Sequence, residues 1–510
     1  MSGPAALGRL IGAGWMLVRN DALLPRELDA LYPPPLSALS KTLRLLAGRQ
    51  ARVGRPGERL ARSLERLGPV AIKLGQALST RADIFGGEFA EDLSRLKDRL
   101  APFPTAAARA EVERGLGRPL ENLFSDFGPP VAAASLAQAH EAVLLDGRKV
   151  AVKVLRPGIA RRIARDAEVL LLAARIVERL APPARRLEPS AFARTVIRAT
   201  ELELDLRLEA AGADELGEVM AEDGYMRAPK VIWDGVGKRV LTMEWAAGQP
   251  LSGAAALAEP GIDPRQLADN LFRAFLSQAL DHGVFHADLH EGNLFVAAPA
   301  QLTAVDFGII GRLGAPERRY LAEILWGFLQ RDYHRVAQVH FDAGYVPSRH
   351  SVAEFAQALR AVGEPVFGRA ASEVPMSRLL IQLFEITALF EMRLRPELVL
   401  LQKTMMTVEG VARRICPDHD IWAAADPVVR RWIARELSPA TRIKRLAGEA
   451  EQAVRNLARL ASAPPVGEPV VAVAPARRSG PALWVAPIWF ILGALSVALA
   501  AFAVRAVGLG

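Results

Sequence analysis

The stretch VFHADLHEGNLFV (residues 284–296) sets His286, Asp288 and Asn293 between two apolar runs. Gly283 and Gly292 bracket its polar part, so it reads as a loop rather than a helix. A carboxylate and a carboxamide at fixed separation on a loop suit a hard cation and a reacting hydroxyl. His282, His286 and His290 recur every fourth residue, which on a helix would gather three imidazoles on one face and admit a metal. On a loop there is no such face, and His286 reads as a hydrogen-bonding support.

Working outward, Asp306 follows Asp288 by 18 residues and opens Asp306-Phe307-Gly308 after the short apolar run LTAV. H-x-D-x₄-N with D-F-G at this distance is the protein-kinase pattern. D-F-G alone is a weak match; the two together are specific. In that pattern Asp288 is the catalytic carboxylate, and Asn293 and Asp306 hold Mg²⁺. Lys153, in VAVKVLRPG, matches the strand lysine that holds the phosphates of ATP, and a lysine among valines is costly unless paired. Its expected partner is Glu209, in ELELDLRLEAAGA. Two parts of the pattern are missing. Ala287 replaces the arginine of H-R-D, and VAAASLAQAH (131–140) stands where a glycine-rich loop belongs. Alanine does not readily take the positive φ angles open to glycine, so this loop must cover phosphates in another shape.

The periodicity gives the surroundings. Residues 35–66 and 88–117 carry apolar residues at helical spacing, and GPVAIKLGQALSTRADIF between them also reads helical. No strand alternation is expected before about residue 130. AHEAVLL and RKVAVKVL flank Asp146-Gly147 as a hairpin, closed by Pro157-Gly158. Helices are expected over 159–181 and 190–221, and strands at KVIW (230–233) and RVLTMEW (239–245). After Gly248 the chain is expected to be mostly helical, apart from the opening loop and LTAVDFG (302–308).

The fold class is therefore α+β. A helical N-terminal extension (1–117) precedes a small sheet lobe (118–246), a helical lobe (247–462), a linker (463–481) and a membrane segment (482–504). A sheet lobe followed by a helical lobe is the order of the bilobal protein-kinase-like fold, which by itself assigns no chemistry.

At 510 residues the chain allows two to four domains. Sixty-four basic against 56 acidic residues leave +8, without the lysine runs or the basic and aromatic stripes of a nucleic-acid binder. The excess suits a neighbour of anionic lipid. One cysteine, Cys416, excludes an intrachain disulfide and reads as a small core residue. Arg9 and Arg19 interrupt the apolar N-terminus, which reads as a surface helix rather than a signal peptide. Residues 482–504, ALWVAPIWFILGALSVALAAFAV, hold 23 residues without a charge, enough to span a bilayer core of roughly 30 Å. Arg477 and Arg478 precede them, which puts the larger part of the chain on the cytoplasmic side.

With these residues together, the chain resembles the UbiB family of atypical protein-kinase-like proteins. The family's KxGQ motif appears as Lys73, Gly75 and Gln76, its ExD motif as Glu203 and Asp205, and its alanine-rich loop as AAASLAQAH, with Ala137 where many members have glycine. Its catalytic loop, usually close to HADPHPGN, is here HADLHEGN. LQKTMMTVEGVARRICPD (401–418) resembles its late segment. The resemblance implies ATP and Mg²⁺ as cofactors. It implies a nucleotide set of Lys153, Glu209, Ala132, Ala133, Ala134, Ser135, Gln138 and Glu244. It further implies ATP hydrolysis with little protein phosphorylation, in ubiquinone biosynthesis at a bacterial inner membrane. Membrane lipid, prenylated quinone precursors and other ubiquinone-biosynthesis proteins are the implied partners.

Three functions compete: an ATPase or small-molecule kinase, a protein Ser/Thr kinase, and a nucleotide-binding scaffold without turnover. Ala287 and the short segment IIGRLGAPERRYLAEI after D-F-G weigh against the second. No dinucleotide fingerprint supports a hydroxylase. Lys73 and Gln76, three apart, share a helix face, and an ion pair from Lys73 to Glu203 or Asp205 would dock the extension over the cleft.

Overall fold

The computed structural model describes residues 3–436, apart from 28–33, 49–50, 52, 80–86, 95, 97–100, 181–187, 254–255, 365–385, 387–388 and 393–395. The linker 463–481, the membrane segment 482–504 and the end of the expected helical lobe lie outside the described residues. Among the described residues, no helix is long and apolar enough to cross a membrane.

The extension is built from α1 (Gly3–Arg19), α2 (Pro34–Arg44), α3 (Pro56–Leu67), α4 (Pro69–Ser79), α5 (Gly87–Ser94) and α6 (Thr105–Leu116). Both long helical runs expected here are broken. Gly54, at φ +84°, and Pro56 divide the first; Pro102 and Pro104 divide the second. Leu17, Leu23, Leu60, Leu64 and Leu93 form a separate small core. Arg59 is buried in it, 2.7 Å from Glu27 and 3.4 Å from Asp21. Gly75 suits the packing: a Cβ there would meet the terminal methyls of Leu64 and Leu96, which fill the space glycine leaves between α4 and α3.

Four antiparallel strands follow in spatial order, β1 (Phe124–Ala133), β2 (Ala137–Leu144), β3 (Lys149–Leu155) and β4 (Val240–Glu244). Asp146-Gly147 makes the β2–β3 turn, with Gly147 at φ +85°. β1 starts well before residue 130, contrary to expectation. Pro129 and Pro130 mask it in the sequence, but β1 is an edge strand with register shifts at that point, where proline is tolerated. KVIW is not a strand; Val231 makes a single bridge to Met243 before a 3₁₀ turn at Trp233–Gly235. Ala139 pairs with Lys153 and His140 with Val152. Period two then sends Val150, Val152 and Val154 to one face, packed with Ala108 and Val112 of α6, and Lys153 to the other.

Helices α7 (Ile159–Leu180), α8 (Pro189–Leu202) and α9 (Leu206–Asp223) lie between β3 and β4. The helix expected over 190–221 is two. Asp205 stops it by capping α9, its carboxylate accepting from Arg207 N at 3.2 Å.

The second lobe centres on α10 (Pro264–Ser277), which ends in a π-helical turn, Gln278–His282, closed by Gly283 at φ +72°. It is less uniformly helical than expected. It contains β5 (Gln249–Pro250), β6 (Val284–His286), β7 (Leu294–Ala297), β8 (Gln301–Ala304) and β9 (Ile310–Arg312), in a β5-β7-β8 sheet and a β6-β9 pair. Strands this short show no period of two in the sequence. Helices α11 (Ala315–Leu329), α12 (Tyr333–Asp342), α13 (Val352–Gly363), α14 (Pro396–Ile415) and α15 (Ile421–Glu436) complete the lobe.

Candidate active site

The cleft between the sheet lobe and the helical lobe is crossed by one lysine. Lys153 Nζ on β3 donates to Glu209 Oε1 on α9 at 2.6 Å and to Asp306 Oδ1 at 3.0 Å. Burial alone would lower the lysine pKa; the charges of Asp306 and Glu209 outweigh it and raise it. Burial pushes Glu209 up to about 7 against the pull of Lys153. The Lys153 ammonium holds Asp306 below the usual carboxylate range. Asp306 sits at φ +63°, an uncommon conformation for a residue other than glycine. α9 can come this close to the D-F-G segment because Gly212 has no side chain to strike Ile310.

The loop of residues 286–293 is bonded to itself. His286 is buried, and its Nδ1 accepts from Asp288 N at 3.1 Å. Its Nε2 then donates to Val305 O at 3.2 Å, which fixes one neutral tautomer. Burial lowers its pKa, in keeping with that form. Gln278 Oε1 accepts from His286 N at 3.1 Å. Asn293 Nδ2 donates to Asp288 O at 3.0 Å, and Val305 N donates to Asn293 O at 2.9 Å, so Asn293 is bonded both to Asp288 and to the residue before Asp306. Among the described residues, no group of three or more His, Cys, Asp or Glu side chains is gathered to hold a metal. Asn293 and Asp306 offer the hard oxygen donors that Mg²⁺ takes, with the rest of the shell left to water or phosphate.

The alanine loop needs no glycine. Ala134 N donates to Ala137 O at 2.8 Å, closing a tight turn between β1 and β2, and none of Ala132, Ala133, Ala134 and Ser135 has a positive φ. Arg156, just past the strand lysine, donates to Ala134 O at 2.9 Å and pins the turn to the end of β3. The sequence reading does not single out Arg156; its place three residues after Lys153 is the signal that was there to use.

Two residues of the implied nucleotide set are not brought to Lys153. Gln138 is adjacent to Ala139 on β2, so it faces the valine side. Its Oε1 accepts from Phe103 N at 2.9 Å and its Nε2 donates to Phe103 O at 3.1 Å. Glu244 pairs with Val150 in register, and its carboxylate accepts from Lys230 N at 3.3 Å.

In the extension, Lys73 Nζ on α4 lies 2.7 Å from Glu203 at the end of α8. Gln76 is half-buried one turn along α4. Asp205 is taken up by Arg207, at 2.6 Å.

The chain matches the family model of the ABC1 atypical kinase-like domain over residues 95–340 and that of the UbiB helical domain over 359–420. It is 39% identical to the probable protein kinase UbiB of Marinobacter nauticus, across 86% of this chain and 81% of that one. It is 41% identical to the probable protein kinase UbiB of Pseudomonas entomophila, across 78% and 75%. Among solved structures it is similar to the Rv3197–erythromycin complex of Mycobacterium tuberculosis, at 22% identity and a TM-score of 0.49, covering 72% of this chain and 93% of that one. A kinase-type lysine and D-F-G aspartate, an H-x-D loop without its arginine, and a lysine-bearing extension thus coincide with matches over most of the length, and the chain belongs to the UbiB family of ABC1 atypical kinase-like proteins.

Proposed function

We propose that this protein binds Mg-ATP and uses it as an ATPase or small-molecule kinase at the membrane, in support of ubiquinone biosynthesis. The observation that carries the reading is Lys153 held between Glu209 and Asp306 across the two lobes. Lys153 would hold phosphate oxygens and Glu209 would orient it. Asn293 and Asp306 would hold Mg²⁺, which when bound neutralises phosphate charge. Asp288, part-exposed at the cleft, would accept or orient the proton of the attacking group.

A small acceptor is favoured over a protein. Ala287 supplies no guanidinium for a phosphorylated activation segment. That segment has little length: β9 begins at Ile310 and α11 at Ala315, directly after Gly308. Lys73 and Glu203 tie the extension to α8, close enough for the Lys73 charge to be felt at Asp306, where a docked extension would leave less room for a peptide. A single C-terminal anchor over 482–504 would hold this site near membrane-embedded quinone precursors.

The test is Mg²⁺-dependent ATP hydrolysis by the full chain and by Asp288→Asn, with and without vesicles containing a prenylated phenol. Turnover that rises with the vesicles and is lost in the variant is expected. Nucleotide binding with equal, background hydrolysis in both proteins would favour the scaffold reading and overturn this one.

A further inference from the structure

The loop bearing Asp288 and Asn293 closes on itself, yet its middle must also be fixed to the body of the lobe. Asn293 N donates to His290 O at 2.9 Å, His290 N to Asp288 O at 2.9 Å and Gly292 N to His290 Nδ1 at 2.9 Å. None of these bonds leaves the loop. α14 supplies two that do. Thr404 Oγ1 donates to Ala287 O at 3.1 Å in a buried contact. Three turns further along the same helix, Arg414 Nη1 forms an ion pair with Glu291 Oε2. The helix therefore grips the loop on both sides of Asp288.

We propose that Glu291 and Arg414 are positioning residues whose ion pair fastens the cation-holding loop to α14 and so sets the affinity for a divalent cation. Neither side chain touches the reacting atoms. Glu291 is the first residue of the 3₁₀ turn Glu291–Asn293, two residues before Asn293. A shift at 291 is therefore passed directly to the proposed ligand. The pair is part-exposed, at 49% for Arg414 and 29% for Glu291, so its effect is modest and weakens in salt. This inference rests on reading the loop as cation-binding.

The backbone offers a way to separate positioning from folding. His290 lies at φ −88°, ψ 164°, the conformation that a following proline imposes. Glu291 opens the turn, where a missing N–H costs no bond within it. Glu291→Pro should therefore stiffen the loop without the arginine.

The experiment is a titration of the full chain with Mn²⁺ in the presence of ADP, followed by paramagnetic resonance. Glu291→Ala and Arg414→Ala are each expected to weaken Mn²⁺ binding by about two- to fivefold, and the double variant by no more than either. Glu291→Pro is expected to restore the affinity in the Arg414→Ala background, with melting temperatures near that of the parent. Single variants that bind like the parent, or effects that add in the double variant, would overturn the ion-pair latch alone. A parent chain that binds no Mn²⁺ with ADP would overturn both the latch and the cation-binding reading.

Discussion

Two lysines meet carboxylates from other elements at this cleft, and they are held differently. Lys153 joins the two lobes and has two carboxylates close by, Glu209 and Asp306. Lys73 joins the extension to α8 through Glu203, and its field also reaches Asp306. At Lys153 an incoming charge can take over one carboxylate and leave the lysine paired with the other. At Lys73 the pair adds to the packing of α4 on α8. On the function proposed above, the first cluster would exchange with a ligand, while the second joins one part of the chain to another.

The largest expected effect breaks the first cluster. Lys153→Ala strands two carboxylates, and Asp306→Asn removes the charge a cation needs. Each should weaken Mg-ATP binding at least about a hundredfold, read by nucleotide-induced thermal stabilisation. Undiminished stabilisation in both variants would mean that the cleft is not a nucleotide site.

Glu209 gives the next effect, and its sign is opposite for stability and function. Burial lifts its folded pKa to about 7, above the ordinary glutamate value of roughly 4.5. Between those values the folded chain keeps a proton that the unfolded chain has lost, so stability falls as pH rises through that window. Glu209→Gln should therefore gain melting temperature relative to the parent as the pH is raised from about 4.5 to about 8. Nucleotide turnover should be lost at both values. A melting difference that does not change with pH would remove the buried-carboxylate account.

Lys73→Ala sharpens the comparison. The pair is part-exposed, so about 1–2 kcal/mol is expected once solvent screening is allowed for. Nucleotide affinity should change by about tenfold, well short of Lys153→Ala. Equal losses in the two variants would erase the distinction drawn here. The smallest effect belongs to Asp205→Ala, which removes the cap of α9 at a cost of about 1 kcal/mol and should lower the melting temperature by a few degrees.

What the sequence makes legible follows its signals. The Asp146-Gly147 hairpin is local and chemical, and β2 and β3 follow from it. The joining of Lys153, Glu209 and Asp306 across 153 residues is legible because all three sit in motifs with known spacing. β1 is obscured by Pro129 and Pro130, which are tolerated because β1 is the edge of its sheet among the described residues. The break at Asp205 is hidden because the leucines at 202, 204, 206 and 208 maintain an apolar pattern through it. A motif letter does not say which face of a strand Gln138 occupies, and it lies on the face opposite Lys153. Thr404 and Arg414 lie more than a hundred residues from the loop they support, and only the packed structure brings them together.

The gap between α8 and α9 has a mechanical consequence. A continuous helix from 190 to 221 would be a rigid rod, carrying any displacement of the extension straight to Glu209. Ending α8 at Leu202 and restarting at Leu206 turns the rod into two levers with a three-residue joint, stapled by Asp205 and Arg207. The extension is attached at Glu203, the first residue of the joint, while the second lever lies against Ile310 at Gly212. Such a joint separates the point where the extension is attached from the helix that carries the partner of Lys153.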